Sequence, residues 1–227
     1  MATIPILTLN LLDVKIPAST RLMTVFYNGM LDLAAENKTL FEKENIPLDI
    51  FHNDKIAYSA IQFTRYRGAA SFTAVGEKEV RAMDIWYGLF QQSIGLVAQN
   101  TQIIREQYIP AITEKYYRYV TGNILIKKEI AEEIALLKSN FAVRDRLEKY
   151  LYGNIKAFLI RVAGMELSEA DYISVKVNRY QVHNPQNTYH GGKLPAYEIY
   201  FDANVYLPLM LRLGQSVSLG YGEIWHE

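Results

Sequence analysis

The 227-residue sequence contains no cysteine. Disulfide bonds, thiolate metal sites and a cysteine nucleophile are therefore excluded. Nor does any stretch approach the roughly 20 consecutive apolar residues that a membrane span needs. Residues 1–16 lack a basic segment and their apolar residues alternate with polar ones, which predicts a strand and not a signal peptide. We expect a cytoplasmic protein.

Net charge is also missing, because 24 basic residues balance 24 acidic ones. This balance argues against indiscriminate nucleic-acid binding, which depends on a broad basic face. A local patch remains compatible with it: between positions 55 and 76 the only charged residues are the cations Lys55, Arg65 and Arg67. A second interpretation is that these cations protect the edge of a hairpin from pairing with another strand.

Histidine is scarce, with four residues at positions 52, 183, 190 and 226. None forms a closely spaced zinc-binding pair such as HxxxH or HExxH, so the sequence predicts no metal site. Phosphate-loop, nucleophile-elbow and dinucleotide-binding motifs are absent as well. The sequence therefore predicts no bound cofactor.

The apolar spacing in the first half predicts the order strand, helix, strand, strand, helix, strand. The segment 36–49 is polar and contains Pro47, which indicates a connection. This order is that of a ferredoxin-like α+β unit, whose free sheet face is a natural surface for RNA. The predicted strands are 6–12, 56–66, 69–75 and 102–109, and the predicted helices are 22–33 and 80–97.

The second half, from Ala111, resembles a second and degenerate unit of the same kind. Residues 116–126 are expected to be extended, 129–137 and 144–162 helical, and 173–177 a strand. A polar hairpin containing Pro185 then leads into a C-terminal strand of alternating residues, 197–205. The expected organisation is α+β, with one unit at 1–110 and another at 111–227.

Three glycines, Gly214, Gly220 and Gly222, with Ser216 and Ser218 between them, follow that last strand. Glycines in this pattern let the backbone approach a ligand closely and turn its N–H groups toward an anion such as a phosphate. The alternative is a hairpin in which the glycines supply only positive φ angles. Spacing alone favours the hairpin.

Three blocks of sequence resemble the CRISPR repeat-RNA-processing endoribonucleases of the RAMP superfamily. The first, Leu213-Gly-Gln-Ser-Val-Ser-Leu-Gly-Tyr-Gly222, is similar to their C-terminal glycine-rich loop. A second comprises Phe51-His-Asn-Asp54 and Tyr58-Ser-Ala-Ile-Gln-Phe63, which resemble a turn and the strand after it. The third is Tyr152-Gly-Asn-Ile-Lys-Ala-Phe158, similar to a stretch of a helix in the C-terminal domain. Two ferredoxin-like units in tandem are the fold that this resemblance implies.

The resemblance implies a metal-independent endoribonuclease that cleaves CRISPR repeat RNA. In such a reaction the ribose 2′-hydroxyl attacks the adjacent phosphate and leaves a 2′,3′-cyclic phosphate and a 5′-hydroxyl. His52 falls where the family has its catalytic histidine, and Tyr58 matches a tyrosine of the same motif. As residues of structure only, His52 would cap a polar turn and Tyr58 would bury its ring. The expected RNA-binding residues are Lys55, Arg65, Arg67, Asn204, Arg212, Gly214, Gln215, Ser216, Ser218, Gly220, Tyr221 and Gly222.

The sequence departs from the family pattern at four positions. Asp54 stands where one branch has a second histidine, and it can orient His52 but is a poor acid at neutral pH. Gln215 and Leu219 replace cations of many relatives, while Arg212 replaces a glycine. These departures leave two alternatives open: a non-catalytic RNA-binding relative that retains a guide RNA in a CRISPR effector assembly, and a protein-interaction scaffold. Repeat RNA, other effector subunits and a second copy of the chain are the partners to test, and no membrane is expected.

Overall fold

The computed structural model describes residues 3–16, 20–51, 59–94, 100–189, 192–209, 211–214 and 221–227. The chain divides into two compact units, one made of residues 1–109 and one made of residues 110–217 and 221–227. Each unit contains one four-stranded antiparallel sheet with helices packed against it. The α+β fold with two ferredoxin-like units that the sequence predicted is confirmed.

The first unit has its strands in the spatial order β2-β3-β1-β4, with every neighbouring pair antiparallel. This is the strand order of the ferredoxin-like fold, and a helix connects β1 to β2 and β3 to β4. Its elements are β1 (Ile4–Lys15), α1 (Thr20–Glu36), α2 (Lys38–Lys43), a 3₁₀ turn (Leu48–Ile50), β2 (Ile61–Tyr66), β3 (Ala69–Val75), α3 (Glu77–Ile94) and β4 (Thr101–Tyr108).

Aromatic side chains form the centre of the core between this sheet and its helices. The Phe63 and Phe72 rings from β2 and β3 have centroids 5.1 Å apart, and Phe72 lies 4.8 Å from Trp86 of α3. Trp86 is 1% exposed and donates its indole N–H to the Met30 carbonyl of α1 at 3.2 Å. That bond satisfies the polar atom of the ring and ties the two long helices together.

On the opposite face of the first sheet the polar side chains of β1, β2 and β3 are buried, whereas Gln102 of β4 is exposed. Ser71 donates to Asn10 Oδ1 at 2.6 Å, and Asn10 donates to Gln102 at 3.1 Å. A role of this face in RNA binding stays a prediction. The buried polar side chains on this face are Thr8, Asn10, Gln62, Thr64, Ser71 and Thr73.

The second unit repeats the strand order of the first, since its strands are arranged β6-β7-β5-β8 and all neighbouring pairs are antiparallel. Buried side chains of α5, among them Leu151 and Phe158, face the core while α5 packs against β6. The elements are β5 (Ile112–Leu125), α4 (Lys128–Leu136), α5 (Asn140–Arg161), β6 (Val175–Tyr189), β7 (Gly192–Val205) and β8 (Glu223–His226).

The helix that joins the third and fourth strands in a complete ferredoxin-like unit has no counterpart among the described residues between β7 and β8. The first crossover, by contrast, holds two helices, α4 and α5. The second unit is therefore degenerate in the sense that the sequence predicted. The glycine-rich segment lies in the connection where the missing helix would be.

One prediction of local structure is wrong. The segment 36–49 was expected to be a plain connection, but it contains α2 and the 3₁₀ turn, with Phe41 buried against Phe51 at a centroid distance of 5.5 Å. The predicted polar hairpin is present and is formed by β6 and β7, but β6 is longer than the predicted strand and continues through Pro185 to Tyr189. Few apolar residues alternate there, so the pattern gave no strand signal.

Candidate nucleic-acid interface

Two short backbone segments close the base of the glycine-rich loop. The Leu213 N–H donates to the Gly222 carbonyl at 2.8 Å, and the Ile224 N–H donates to the Leu211 carbonyl at 2.9 Å. Arg212 and Glu223 form an antiparallel bridge between these two bonds. The loop therefore begins and ends at a fixed hairpin stem, which sets where its backbone can project.

Glycine is required at both ends of the loop. Gly214 has a φ of +101° and Gly222 a φ of +74°. Residues that carry a side chain rarely adopt this backbone conformation. A Cβ atom at Gly222 would also collide with the Leu213 carbonyl oxygen, and one at Gly214 would lie 2.6 Å from Ile124 Cγ1. Positive φ angles at a hairpin stem agree with the simpler interpretation of the glycines. They do not exclude the anion-binding one, because residues 215–220, which include Gln215, Ser216, Ser218 and Gly220, lie outside the described residues.

Asn154 of α5 connects the third sequence block to the loop. Its Oδ1 accepts a hydrogen bond of 3.0 Å from the Gly214 N–H, while its Nδ2 donates to the Tyr150 carbonyl one helical turn earlier at 2.8 Å. The helix thereby orients the amide that holds the start of the loop. The sequence resemblance includes the block around Asn154 but implies no role for this residue.

Tyr221 follows the loop in sequence and packs against the second sheet. Its ring packs on Leu125 of β5 and Ala196 of β7, which are both fully buried and face each other in the strand register. This contact fixes the end of the loop on the sheet face that points away from α5. Tyr221 is half-buried, so part of its ring remains accessible.

Arg212 is a buried structural residue in this arrangement. Its side chain is 0% exposed, and Nη2 lies 3.5 Å from Glu223 Oε2 across the hairpin stem. A buried arginine is compatible with folding only when its charge is compensated. The guanidinium is buried beside Glu223, and its contact with RNA stays a prediction.

Both polar groups of the Asn204 side chain form hydrogen bonds within the second unit. Its Oδ1 accepts from the Ser174 N–H at 2.7 Å and its Nδ2 donates to the Tyr172 carbonyl at 2.8 Å. Both ends of the amide thus hold the segment before β6. With 7% exposure, Asn204 presents little surface to a ligand.

Arg67 and Gly68 form the two-residue turn between β2 and β3. Both have positive φ, at +52° and +80°, as in the type I′ turns that match the twist of a hairpin. Arg67 is exposed and its guanidinium lies 5.2 Å from the centre of the Tyr66 ring. Arg65 is half-buried, and its Nε has no hydrogen-bond partner among the described residues. This turn places two of the three predicted cations close together in the first unit.

A family model, that of the Cas6b C-terminal domain, matches residues 111–226, more than half of the chain. The chain belongs to the Cas6b family. The matched region contains β5 to β8 and the whole glycine-rich loop. Membership therefore rests on the unit in which the loop stem, Asn154 and Tyr221 come together.

Solved structures agree on the fold over the whole length. The chain is similar to one described as CRISPR RNA processing endoribonuclease Cas6b, with a TM-score of 0.67, and to a second Cas6b structure with a TM-score of 0.65; each is 14% identical and both chains are fully covered. A type IV Cas6 crRNA endonuclease, Csf5, matches with a TM-score of 0.58, 13% identity and full coverage of both chains. No curated protein matches the sequence.

The sequence resemblance to the CRISPR repeat-RNA-processing endoribonucleases puts the catalytic histidine one residue after Phe51. Phe51 is 1% exposed and its carbonyl accepts a hydrogen bond of 2.8 Å from the Tyr27 hydroxyl of α1. This hydrogen bond attaches Phe51, the last described residue before position 52, to α1. His52, Lys55 and Tyr58 lie outside the described residues, so their roles stay predictions.

Among the described residues, no helix combines the length and the apolar character that a membrane span needs. The described residues also contain no group of three or more histidine, aspartate or glutamate side chains that could hold a metal ion.

Proposed function

We propose that this chain is a metal-independent endoribonuclease that cleaves CRISPR repeat RNA. The ribose 2′-hydroxyl at the cut site would attack the adjacent phosphate, and the products would carry a 2′,3′-cyclic phosphate and a 5′-hydroxyl. Membership of the Cas6b family supports the substrate, since one similar structure is described as a CRISPR RNA processing endoribonuclease. The metal-independent chemistry is what the sequence resemblance implies, and His52 and Tyr58 are the side chains that would take part in it.

The hairpin stem of the glycine-rich loop is the observation that carries the proposal. Gly214 and Gly222 hold positive φ angles at its two ends, and Asn154 fixes the first of them. A stem fixed in this way holds the two ends of the loop in place, which favours backbone N–H donors that are already positioned when an anion binds. Preorganised donors of this kind stabilise the charge that develops on a phosphorane far better than mobile ones do.

In this proposal His52 transfers protons, and Tyr58 positions the reacting groups. An imidazole changes its charge near neutral pH and can remove the proton from the 2′-hydroxyl or protonate the leaving oxygen. The Tyr58 hydroxyl would hold the 2′-hydroxyl or a phosphate oxygen. Lys55, Arg65 and Arg67 would neutralise the RNA backbone in the first unit.

A cleavage assay on the repeat RNA of the same locus, in excess EDTA, tests the activity. We expect cleavage at full rate with chelator present, and a cyclic phosphate on the 5′ fragment detected by mass spectrometry. Replacing the ribose at the cut site by 2′-deoxyribose should abolish cleavage, because the nucleophile is then absent. Cleavage of the deoxy substrate, or activity that requires added metal, would refute this mechanism.

The variant His52→Ala should lower the rate of cleavage about 10²–10⁴-fold, the usual contribution of a positioned acid or base. The matched control is His190→Ala, which removes a histidine outside the three blocks of the resemblance and should leave the rate unchanged. Equal rates for His52→Ala and the wild type would exclude His52 as the proton-transfer group.

A non-catalytic RNA-binding subunit is the second candidate. The burial of Arg212 favours it, since the one cation next to the glycine loop that could compensate for Gln215 and Leu219 is paired with Glu223 instead. Without that cation the charge that develops on a phosphorane is stabilised less, which suits an RNA-binding subunit better than a nuclease. Binding of the intact repeat RNA without any cleaved product, under conditions in which the protein is folded, would favour this alternative.

A further inference from the structure

The face of the second sheet that points away from α5 carries an unbroken row of side chains across all four strands. In the strand register Trp225 of β8 pairs with Val120 of β5, Val120 with Tyr200 of β7, and Tyr200 with Arg179 of β6. Paired residues in a sheet project from the same face. The four side chains, here called the cross-strand row, therefore lie side by side.

The cross-strand row is accessible and aromatic. Trp225 is 43% exposed, Arg179 is exposed, and Val120 and Tyr200 are half-buried. The Arg179 guanidinium lies over the Tyr200 ring, 4.0 Å from its centre. An indole face and a guanidinium plane stacked on a phenol are the groups on which unpaired nucleobases stack.

The Trp225 ring is held flat by the absence of a side chain beneath it. A Cβ atom at Gly122 of β5 would lie 2.5 Å from Trp225 Cη2 and 2.7 Å from Cζ3. Because Gly122 has no side chain, the indole can lie close to the backbone of β5 at this position. No turn or positive φ requires a glycine at this position, since Gly122 is absent from the glycines with positive φ.

Two acidic groups on this face have side-chain partners. Asp202 Oδ1 lies 3.4 Å from Arg118 Nε, and Glu198 Oε2 lies 3.1 Å from His183 Nε2. Hydrogen bonds from the Tyr200 hydroxyl and from His183 hold the pKa of Glu198 below its usual range. Arg118 offsets the charge of Asp202, and Arg179 adds a second arginine to the face.

The cross-strand row continues the surface at the base of the glycine loop. Tyr221 covers Ala196 on this same face, and Ala196 precedes Tyr200 by four residues along β7. At about 3.3 Å per residue, the two positions are roughly 13 Å apart. Trp225 and Tyr200 are separated by two strand spacings, about 10 Å. A single strand that leaves the loop could therefore lay adjacent or next-adjacent bases on the row.

We propose that the cross-strand row is a stacking site for two unpaired nucleotides of the RNA, adjacent to the glycine-rich loop. This inference rests on the proposed function, because it assigns a second contact to the same substrate. It names the substrate class as single-stranded RNA, since the bases of a duplex already stack on each other. Recognition by stacking is largely independent of base identity.

Intrinsic tryptophan fluorescence tests the proposal directly, because the chain has only two tryptophans and Trp86 is 1% exposed. Titration with the repeat RNA, and with hexa-adenylate as a minimal single strand, should quench the emission of Trp225 in a saturable manner. A blunt RNA duplex of the same length should quench it far less. The variant Trp225→Leu should lose the RNA-dependent change and bind the repeat RNA about 5- to 150-fold more weakly.

Two further variants separate stacking from loss of folding. Gly122→Ala keeps the indole but displaces it, so its affinity for RNA should fall while its unfolding midpoint stays near that of the wild type. Tyr172→Ala removes a 75% exposed tyrosine outside the row and should bind as the wild type does. A fall in affinity for Tyr172→Ala equal to that for Trp225→Leu would refute the assignment.

The outcomes distinguish this proposal from the proposed function. If the repeat RNA is bound and cleaved normally while Trp225 emission does not change and Trp225→Leu binds as the wild type does, the stacking site is refuted and the nuclease assignment stands. Equal quenching by the duplex would refute the single-strand preference. If the folded protein binds no repeat RNA at all, both proposals are wrong.

Discussion

At the scale of single residues, the backbone conformation of two glycines determines how the glycine-rich segment begins and ends. Gly214 and Gly222 have φ angles of +101° and +74°, and the stem bonds between residues 211–213 and 222–224 depend on both. The segment's two ends are therefore fixed by steric necessity, whatever ligand the loop holds. Only glycine satisfies that requirement without strain.

We predict that Gly222→Ala will lower the free energy of unfolding by about 1–3 kcal/mol, the cost of a strained backbone conformation. The added Cβ would also collide with the Leu213 carbonyl oxygen, so the stem should open and cleavage should be lost. Urea denaturation and the repeat-RNA assay measure the two effects. Gly153→Ala is the matched control, because a Cβ at this α5 position meets nothing within 4 Å and should stabilise the helix by up to about 1 kcal/mol. A stable, active Gly222→Ala would contradict the role of the stem.

Asn154 should control the first amide of the loop. In Asn154→Ala the Gly214 N–H loses its acceptor at 3.0 Å, so we expect faster hydrogen exchange at residue 214 and slower RNA cleavage. Asn154→Asp retains the acceptor oxygen and should preserve protection of that amide. Hydrogen exchange followed by NMR provides the measurement. The same exchange rate in Asn154→Ala and the wild type would show that the bond does not position the loop.

At the scale of secondary structure, the strands were predictable where one face is buried and the other is not. Tyr197, Ile199 and Phe201 alternate with Glu198 and Tyr200, and the strand is found where the alternation is. Residues 178–189 of β6 form strand without such alternation in their sequence, and their pairing with β7 makes them extended. No apolar period could have revealed them.

A buried hydroxyl joins β5 to the segment that leads into the loop. Tyr119 donates to the Val205 carbonyl at 2.9 Å and accepts from the Leu207 N–H at 2.9 Å, and burial raises the pKa of Tyr119. We predict that Tyr119→Phe will cost about 1–3 kcal/mol, since the buried Leu207 N–H loses its partner. Urea denaturation measures this, with Tyr116→Phe as a control of an exposed hydroxyl bonded to Ser174. A loss below 0.5 kcal/mol, roughly the limit for surface changes, would contradict it.

At the scale of the whole molecule, the tandem fold was readable from the order of the elements, whereas the residues that face the RNA were not. Arg212 looked like a phosphate ligand because it adjoins the glycines, yet its charge is paired with Glu223, eleven residues later. Only the hairpin brings the two together. Sequence also could not reveal the cross-strand row, because it depends on the register of four strands that are distant along the chain.

The balance of 24 basic and 24 acidic residues predicts a shallow salt dependence of RNA binding. If Lys55, Arg65 and Arg67 are the principal phosphate contacts, log Kd should rise with log salt concentration with a slope of about 2. Fluorescence anisotropy between 50 and 300 mM KCl measures the slope, and Arg67→Gln should reduce it by about 0.7. A slope of about 5 or more would indicate a broad basic surface and contradict this distribution of contacts.

The closed stem of residues 211–214 and 222–224 separates the tip of the connection from the framework that carries it. Since the stem bonds and both glycines lie outside positions 215–220, we expect that these six positions can be exchanged for the corresponding positions of another family member while the sheet keeps its register. Such chimaeras would turn the connection into an interchangeable cassette, and the RNA preference of the donor could be transplanted without redesigning the scaffold.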